Sequence, residues 1–74
     1  MKKGRITIHL EDLIKQSGMS KTKFSYRADM QMSQINAYCK NTIKRLDVDV
    51  LVRICNTLGC QIEDLLEYIT DETR

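Results

Sequence analysis

Proline and tryptophan are absent from this chain of 74 residues, and glycine occurs only three times, at Gly4, Gly18 and Gly59. Because proline is the strongest helix breaker, most of the sequence can remain helical, and the few glycines mark where helices can end. No apolar run approaches the roughly 18 residues of a membrane span, and the apolar block of a signal peptide is missing. We therefore expect one domain of residues 1–74 in the cytoplasm, with no membrane partner.

Cysteine occurs three times, and this odd number without a secretory signal predicts reduced thiols that pack as small apolar side chains. With His9, the cysteines Cys39, Cys55 and Cys60 could supply four zinc ligands, but spacings of 16 and 5 positions fit no compact zinc motif. No nucleophile is paired with a base and no phosphate-binding loop is present, so His9 is interpreted as a surface or packing residue. An enzyme, a metal, a cofactor and a small-molecule substrate are therefore not expected.

The charges are divided unevenly along the chain, although the net charge is only +2. Residues 1–46 carry ten Lys or Arg against three Asp or Glu, a net charge of +7, whereas residues 47–74 carry two against seven, a net charge of −5. A small domain polarised in this way presents a basic surface to a polyanion and keeps its acidic remainder away. The partner that this pattern indicates is nucleic acid.

Apolar spacing and capping residues predict five short helices. Gly18 and Gly59 can end the first and fourth helices, and Ser20 and Asp47 can begin the second and fourth as N-caps. Branched residues at alternate positions in the segment 5–9 predict a short strand before the first helix. The helices are expected at about 10–16, 21–28, 32–39, 48–58 and 62–68, with Ile69 continuing into a strand or a frayed end.

The segment 19–41 has the pattern of two short helices joined by a sharp turn. Asp29 lies in the turn and tolerates a positive φ better than most residues, and Ser25 supplies a small side chain where the two helices pass closest. Such a unit also requires apolar residues at fixed positions, and these are Phe24, Met30, Ile35 and Tyr38. The segment is therefore interpreted as a helix-turn-helix unit.

With these residues, and with the stretch 54–60 followed by 64–68, the sequence resembles the Cro/repressor-type family of helix-turn-helix regulators, also called XRE or lambda-repressor-like. The resemblance covers nearly the whole chain and includes Gly18-Met19-Ser20 and Lys40-Asn41. Members often have Ala where Ser25 stands and Gly where Asp29 stands. The resemblance implies an all-α, compact five-helix DNA-binding domain, with a short N-terminal strand as a possible addition.

The helix expected at 32–39 is the candidate for reading DNA, because a helix fits the major groove and its first turn points free amides at bases and phosphates. Gln and Asn can pair with adenine through two hydrogen bonds, and Met32 or Ala37 can pack on a thymine methyl group. No arginine lies on this face to bind guanine, which favours A·T-rich half-sites. The expected base contacts are Gln31, Met32, Ser33, Gln34, Asn36 and Ala37.

Phosphate contacts are expected from side chains that flank this helix in the sequence: Lys21, Thr22, Lys40, Lys44 and Arg45. Because one domain contacts few base pairs, we expect a homodimer on half-sites one helical turn apart. Its expected surface is the acidic end: the fifth helix, residues 65–69 and the strand at 5–9, which could pair with the final segment.

The predicted function is therefore that of a sequence-specific regulator of transcription, acting as a repressor on double-stranded DNA. The rival hypothesis is a protein-interaction module, antitoxin-like or anti-repressor, that retains the same fold. Few side chains of the candidate helix are suited to base reading, which favours the rival. The polarised charge favours DNA.

Overall fold

The computed structural model describes residues 4–70, in which five helices and two strands follow one another in the order β1, α1–α5, β2. The ends of the predicted domain, with Lys2, Lys3, Asp71, Glu72 and Arg74 of the charge pattern, lie outside the described residues. No helix of the described part is long and apolar enough to cross a membrane. The elements are β1 Gly4–Ile8, α1 Leu10–Ser17, α2 Lys21–Ala28, α3 Met32–Cys39, α4 Val48–Leu58, α5 Ile62–Leu65 and β2 Leu66–Thr70.

The helix ends follow the local signals of the sequence. Ser20 caps α2, since its Oγ accepts a hydrogen bond from the backbone N–H of Lys23 at 3.1 Å, and the Asp47 carboxylate accepts from the N–H of Asp49. Gly18 and Gly59 adopt left-handed conformations, with φ of 80° and 65°, at the ends of α1 and α4. The predicted spans of α2, α3 and α4 are confirmed, and α1 is one residue longer than expected.

One apolar core joins the helices. Its fully buried side chains include Phe24 from α2 and Ile35 and Tyr38 from α3, as the helical spacing predicted. Burial of each such side chain stabilises the fold by about 1.5–3 kcal/mol relative to exposure. The core is completed by Ile8, Leu10, Ile14, Ala28, Met30, Val50, Ile54 and Leu65. Burial of Tyr38 and Ile35 leaves the opposite side of α3 facing outward.

The prediction of a fifth helix over 62–68 is wrong in its second half. The helix ends at Leu65, and Leu66 has the extended angles φ −116° and ψ 137° that begin β2. Strand β2 pairs antiparallel with β1, in a register that aligns Ile6 with Tyr68 and Ile8 with Leu66. The helical spacing is overridden because β1 offers backbone groups that an extended chain can pair along five residues.

The N-terminal strand is confirmed, with bounds shifted by one residue to Gly4–Ile8. His9 follows it as the residue before α1, and its N–H donates to the Leu65 carbonyl at 2.7 Å, which continues the ladder to the base of the sheet. The fold is thus a helical domain with a small two-stranded sheet made from its two chain ends. The described molecule measures 42 × 21 × 18 Å.

Asn41 fastens this sheet to the helical body. Its Oδ1 accepts from the N–H of Ile8 at 2.6 Å, and its Nδ2 donates to the carbonyl of Ile8 at 3.2 Å. Asn41 has a φ of 60°, a left-handed conformation in which asparagine is more frequent than most other non-glycine residues. Its side chain therefore acts like one residue of a third strand, directly after the helix expected to read DNA.

Candidate nucleic-acid interface

The turn between α2 and α3 is held by Ser25. The Ser25 carbonyl accepts the N–H of Met30 at 3.1 Å, and the Ser25 hydroxyl donates to the Met30 carbonyl at 2.8 Å. Asp29 between them has φ 55° and ψ 50°, the left-handed conformation that the sharp turn requires. The hydroxyl thus makes a bond that an alanine at position 25 could not make. The angle between the two helices depends on this closed turn.

The first turn of α3 presents unpaired polar groups. Gln31 is the residue before the helix, and its side chain makes no capping hydrogen bond. The side chains of Gln31, Ser33 and Gln34 form no hydrogen bond within residues 4–70, and the first backbone N–H groups of a helix have no partner inside it. These donors and acceptors are available to an external ligand at one end of α3.

The expected base contacts differ in exposure. Gln31, Met32 and Ser33 are exposed, whereas Gln34, Asn36 and Ala37 are half-buried. All six lie at the start or on the outer half of α3, because Ile35 and Tyr38 occupy its inner side. The helix therefore offers a short polar surface around its N-terminal turn, with the apolar side chain of Met32 at its edge.

Asn36 is held by a cation from the neighbouring helix. Lys21 begins α2, and its Nζ lies 3.4 Å from Asn36 Oδ1. An ammonium group has only donors, so it selects the oxygen of the amide and leaves the two N–H donors of Asn36 on the other side. Sequence reasoning placed Lys21 among the phosphate contacts and missed this contact, which joins residues 15 positions apart on different helices.

The remaining expected phosphate contacts are exposed and form no ion pair within the described residues. Thr22 is exposed on the first turn of α2, and Lys40 is exposed at the C-terminal end of α3. Lys44 and Arg45 are exposed in the connection to α4. Within the described residues, the ion pairs are His9–Glu67, Lys15–Glu11 and Arg53–Asp49, so none of the three basic residues Lys40, Lys44 and Arg45 is neutralised by a carboxylate.

The connection that carries Lys44 and Arg45 starts in a defined geometry. The N–H and Oγ1 of Thr42 both bond to the carbonyl of Ala37, at 3.0 Å and 3.3 Å. With the Asn41 contacts to Ile8, this fixes the chain where it leaves α3. The basic residues of the connection thus follow α3 through an ordered turn.

His9, one of the four residues considered as zinc ligands, contacts a carboxylate at the sheet. His9 Nε2 lies 2.8 Å from Glu67 Oε1 across the base of the sheet. Among residues 4–70, no three His, Cys, Asp or Glu side chains are grouped so as to hold a metal ion. His9 is a packing and pairing residue at the sheet, as its sequence context indicated.

Comparison with known proteins agrees with this geometry. A family model described as the Cro/C1-type HTH DNA-binding domain matches residues 9–71. The chain is similar to YozG of Bacillus subtilis (strain 168), an uncharacterized HTH-type transcriptional regulator, with 31% identity over 67 residues. That alignment covers 90% of this chain and 80% of the relative. No solved structure gives a significant match.

Proposed function

The chain belongs to the family of Cro/C1-type helix-turn-helix DNA-binding domains, and from this premise we propose that it is a sequence-specific transcriptional repressor that reads the major groove with α3. The observation that carries the proposal is the unpaired polar surface at the first turn of α3, beside the Lys21-held Asn36. A major groove admits one helix, and the first turn of that helix meets base edges and phosphates.

Base reading is assigned to Gln31, Ser33, Gln34 and Asn36, with Met32 and Ala37 against thymine methyl groups. The Gln34 amide makes no hydrogen bond within residues 4–70, so both its oxygen and its nitrogen can pair with adenine. Such a pair discriminates against other bases by about 1–3 kcal/mol. Asn36 acts differently, because its oxygen already accepts from Lys21. It therefore donates to an acceptor in the groove, such as a purine N7 or the O4 of thymine.

Phosphate binding is assigned to Lys21 and Thr22, at the start of α2, and to Lys40, Lys44 and Arg45, which follow α3 in the chain. Such contacts supply affinity and register rather than base preference, and each neutralised phosphate steepens the loss of affinity with salt. The repressor role follows from the simplest action of such a domain, since occupancy of an operator excludes other proteins from the same DNA.

The protein binds its operator as a homodimer in this proposal, because a two-fold dimer doubles the contacted base pairs. The sheet at the chain ends is the proposed contact. Ile6 is 49% exposed and Tyr68 is 66% exposed, and they lie side by side on one face. An isolated two-stranded sheet is marginally stable in water, so added strands from a second copy would stabilise it.

The geometry favours the outer edge of β2 for this contact. The backbone of Ile8 faces Asn41, so the base of the outer edge of β1 is already paired. Along an antiparallel pair, the backbone groups of successive residues point alternately toward and away from the partner strand. In this register the backbone of Tyr68 points away from β1, at the outer edge of β2. Pairing of β2 with β2 of a second copy also keeps that copy away from the chain segment of Lys40 and Lys44, which is assigned to phosphates.

The test is selection of duplexes from a random pool by the purified protein at about 150 mM salt. We expect enrichment of a two-fold symmetric site. Gln34→Ala should change the preferred base at one position of each half-site, and the double variant Lys44→Ala, Arg45→Ala should weaken binding to all sequences alike. Lys15→Ala on α1 removes a positive charge that pairs with Glu11 and has no assigned DNA contact, so it is the control, with unchanged selection.

The rival function, a protein-interaction module, is favoured by one observation. Val48, Val52 and Ile62 are 73%, 50% and 46% exposed, and they line an apolar groove between α4 and α5. If no sequence is enriched and residual DNA binding fades with salt, the regulator proposal fails and this groove becomes the surface to probe for a partner. Enrichment of a site that the Gln34 variant alters would reject the rival as the main function.

A further inference from the structure

The C-terminus of α4 brings two thiols together. Gly59 turns the chain in the left-handed conformation, and the N–H of Cys60 then donates to the carbonyl of Cys55 at 3.2 Å. This is the six-to-one bond of a Schellman motif, in which the side chains of the same two residues commonly touch. Here both side chains are cysteines, and both are free.

The thiols influence each other electrostatically. The pKa of Cys60 is raised to about 11, mainly by burial and in addition by the charge and side-chain hydrogen bonding of the neighbouring Cys55 thiol and by the charge of Asp64. Cys39 lies apart from this pair, at the end of α3. Its pKa is raised by burial, with Lys21 and Glu11 as its charged neighbours. The chain thus has one pair of adjacent thiols and one separate thiol.

Solvent reaches the pair from two sides. Cys60 lines an open cavity of about 510 Å³ with Leu13, Leu58 and Asp64. Cys55 lines the apolar groove between α4 and α5, a second open cavity of about 450 Å³. Both cysteines are half-buried rather than enclosed in the core. A small reagent can therefore approach either sulfur without unfolding the domain.

We propose that Cys55 and Cys60 form a thiol modification site, which a low-molecular-weight disulfide such as glutathione disulfide converts into an intramolecular disulfide. The Cys55 thiolate attacks one sulfur of glutathione disulfide, and the other glutathione leaves as a thiolate. Cys60 then loses its proton and attacks the Cys55 sulfur of the mixed disulfide, which releases the second glutathione. Two cysteine thiols are oxidised to one disulfide, and one glutathione disulfide is reduced to two glutathione molecules.

Cys55 makes the first attack because the raised pKa of Cys60 keeps that thiol protonated. The new bond joins the last turn of α4 to the residue before α5 and closes a loop that the native backbone already forms. The disulfide therefore stabilises the fold mainly by restricting the conformations of the unfolded chain, and we expect the Tm to rise by about 5 °C. Since Cys55 and Cys60 lie outside α3, DNA affinity should change by less than about twofold.

The experiment oxidises the reduced, full-length protein with glutathione disulfide and counts free thiols. Three thiols should fall to one, with a mass loss of about 2 Da and a peptide linking Cys55 to Cys60. Cys39→Ser should still form the disulfide, with no free thiol left. Cys60→Ser should form none and should show mixed disulfides with glutathione instead. Reduction with dithiothreitol should restore all three thiols of the wild type and its original Tm.

Three results would overturn the inference: three thiols that persist under oxidation, a disulfide that includes Cys39, or cross-linking between chains. Peptide mapping of the oxidised wild type shows which cysteines are joined, even if a cysteine variant folds poorly. The readout requires no DNA, so the inference and the proposed operator binding can fail separately.

Discussion

The ammonium of Lys21 at the start of α2 lies 3.4 Å from the amide oxygen of Asn36 in the middle of α3. Each of these residues was expected to contact DNA, the first a phosphate and the second a base. The cation decides which end of the Asn36 amide faces outward. If both residues contact DNA as proposed, affinity and base preference should be linked at this position.

Replacement of Lys21 by Gln should reduce affinity and also relax base preference at the position that Asn36 reads. Lys44→Gln removes the same charge without touching Asn36, so it should reduce affinity alone. Both variants should lower the slope of log affinity against log salt by about one. The measurement is binding to the selected operator and to its single-base variants over a range of salt concentrations. Equal base preference in the two variants would show that Lys21 does not orient Asn36.

Asn41→Ala should destabilise the domain by about 1–3 kcal/mol. The change removes both hydrogen bonds to Ile8, leaves two backbone groups without partners and places alanine at a φ of 60°. Urea unfolding followed by circular dichroism measures the loss. Asn56→Ala, an exposed site on α4, is the control and should change stability by less than about 0.5 kcal/mol. If the free energy of unfolding falls no more than in the control, the Asn41 side chain does not stabilise the contact between the sheet and the helices.

Asp29→Gly should stabilise the domain by about 0.5–1 kcal/mol. Asp29 has a φ of 55°, its side chain makes no hydrogen bond within residues 4–70, and glycine adopts this conformation without steric cost. The opposite change at the end of α1, Gly18→Ala, places a side chain at a φ of 80° and should destabilise by a similar amount. Thermal unfolding of the two variants should move the Tm in opposite directions. A lower Tm for Asp29→Gly would indicate a stabilising role of the carboxylate that the contacts do not explain.

Alkaline conditions should weaken the fold through Cys60. Its folded pKa of about 11 lies above the ordinary thiol value of 9.0, because burial and the Cys55 thiol disfavour the thiolate. The unfolded chain therefore releases this proton at a lower pH than the folded chain. The contribution to stability is present below about pH 9 and is lost as the pH rises toward 11. As the pH rises across this range, the urea midpoint of unfolding should fall less for Cys60→Ala than for the reduced wild type. An equal fall in both proteins would contradict the raised pKa of Cys60.

Tyr68→Ala should raise the dimer dissociation constant by at least about tenfold, because it removes the more exposed of the two large apolar side chains in the proposed sheet contact. Tyr26→Ala is the matched control, since Tyr26 is 82% exposed on α2 and lies away from the sheet. Sedimentation equilibrium measures the change. Binding to a duplex with two half-sites should weaken in the Tyr68 variant, while binding to one half-site should not. An unchanged dissociation constant would indicate that the dimer contact lies at the apolar groove between α4 and α5 instead of at the sheet.

Much of the helical framework could be predicted because its signals are local. The Ser20 cap, the glycines at the ends of α1 and α4, and the apolar spacing of Phe24, Ile35 and Tyr38 each act within one or two helical turns. The assignment of α3 as the outward-facing helix followed from the same spacing. The sequence allowed a strand from Ile69 that pairs with the strand at 5–9, but it did not indicate that β2 begins at Leu66, since residues 66–68 carry helical spacing and become extended only beside β1.

Local sequence signals were enough to place most helix ends and the buried sides of the helices, and the charge pattern showed that the basic residues gather in the first two thirds of the chain. These properties depend on side-chain type and on near neighbours along the backbone. The contacts of Lys21 with Asn36 and of Asn41 with Ile8, and the register and length of the pairing between β1 and β2, depended on the tertiary structure. Such pairs form only after the core brings separate elements together, because the energy of each contact is too small to specify the fold without that core.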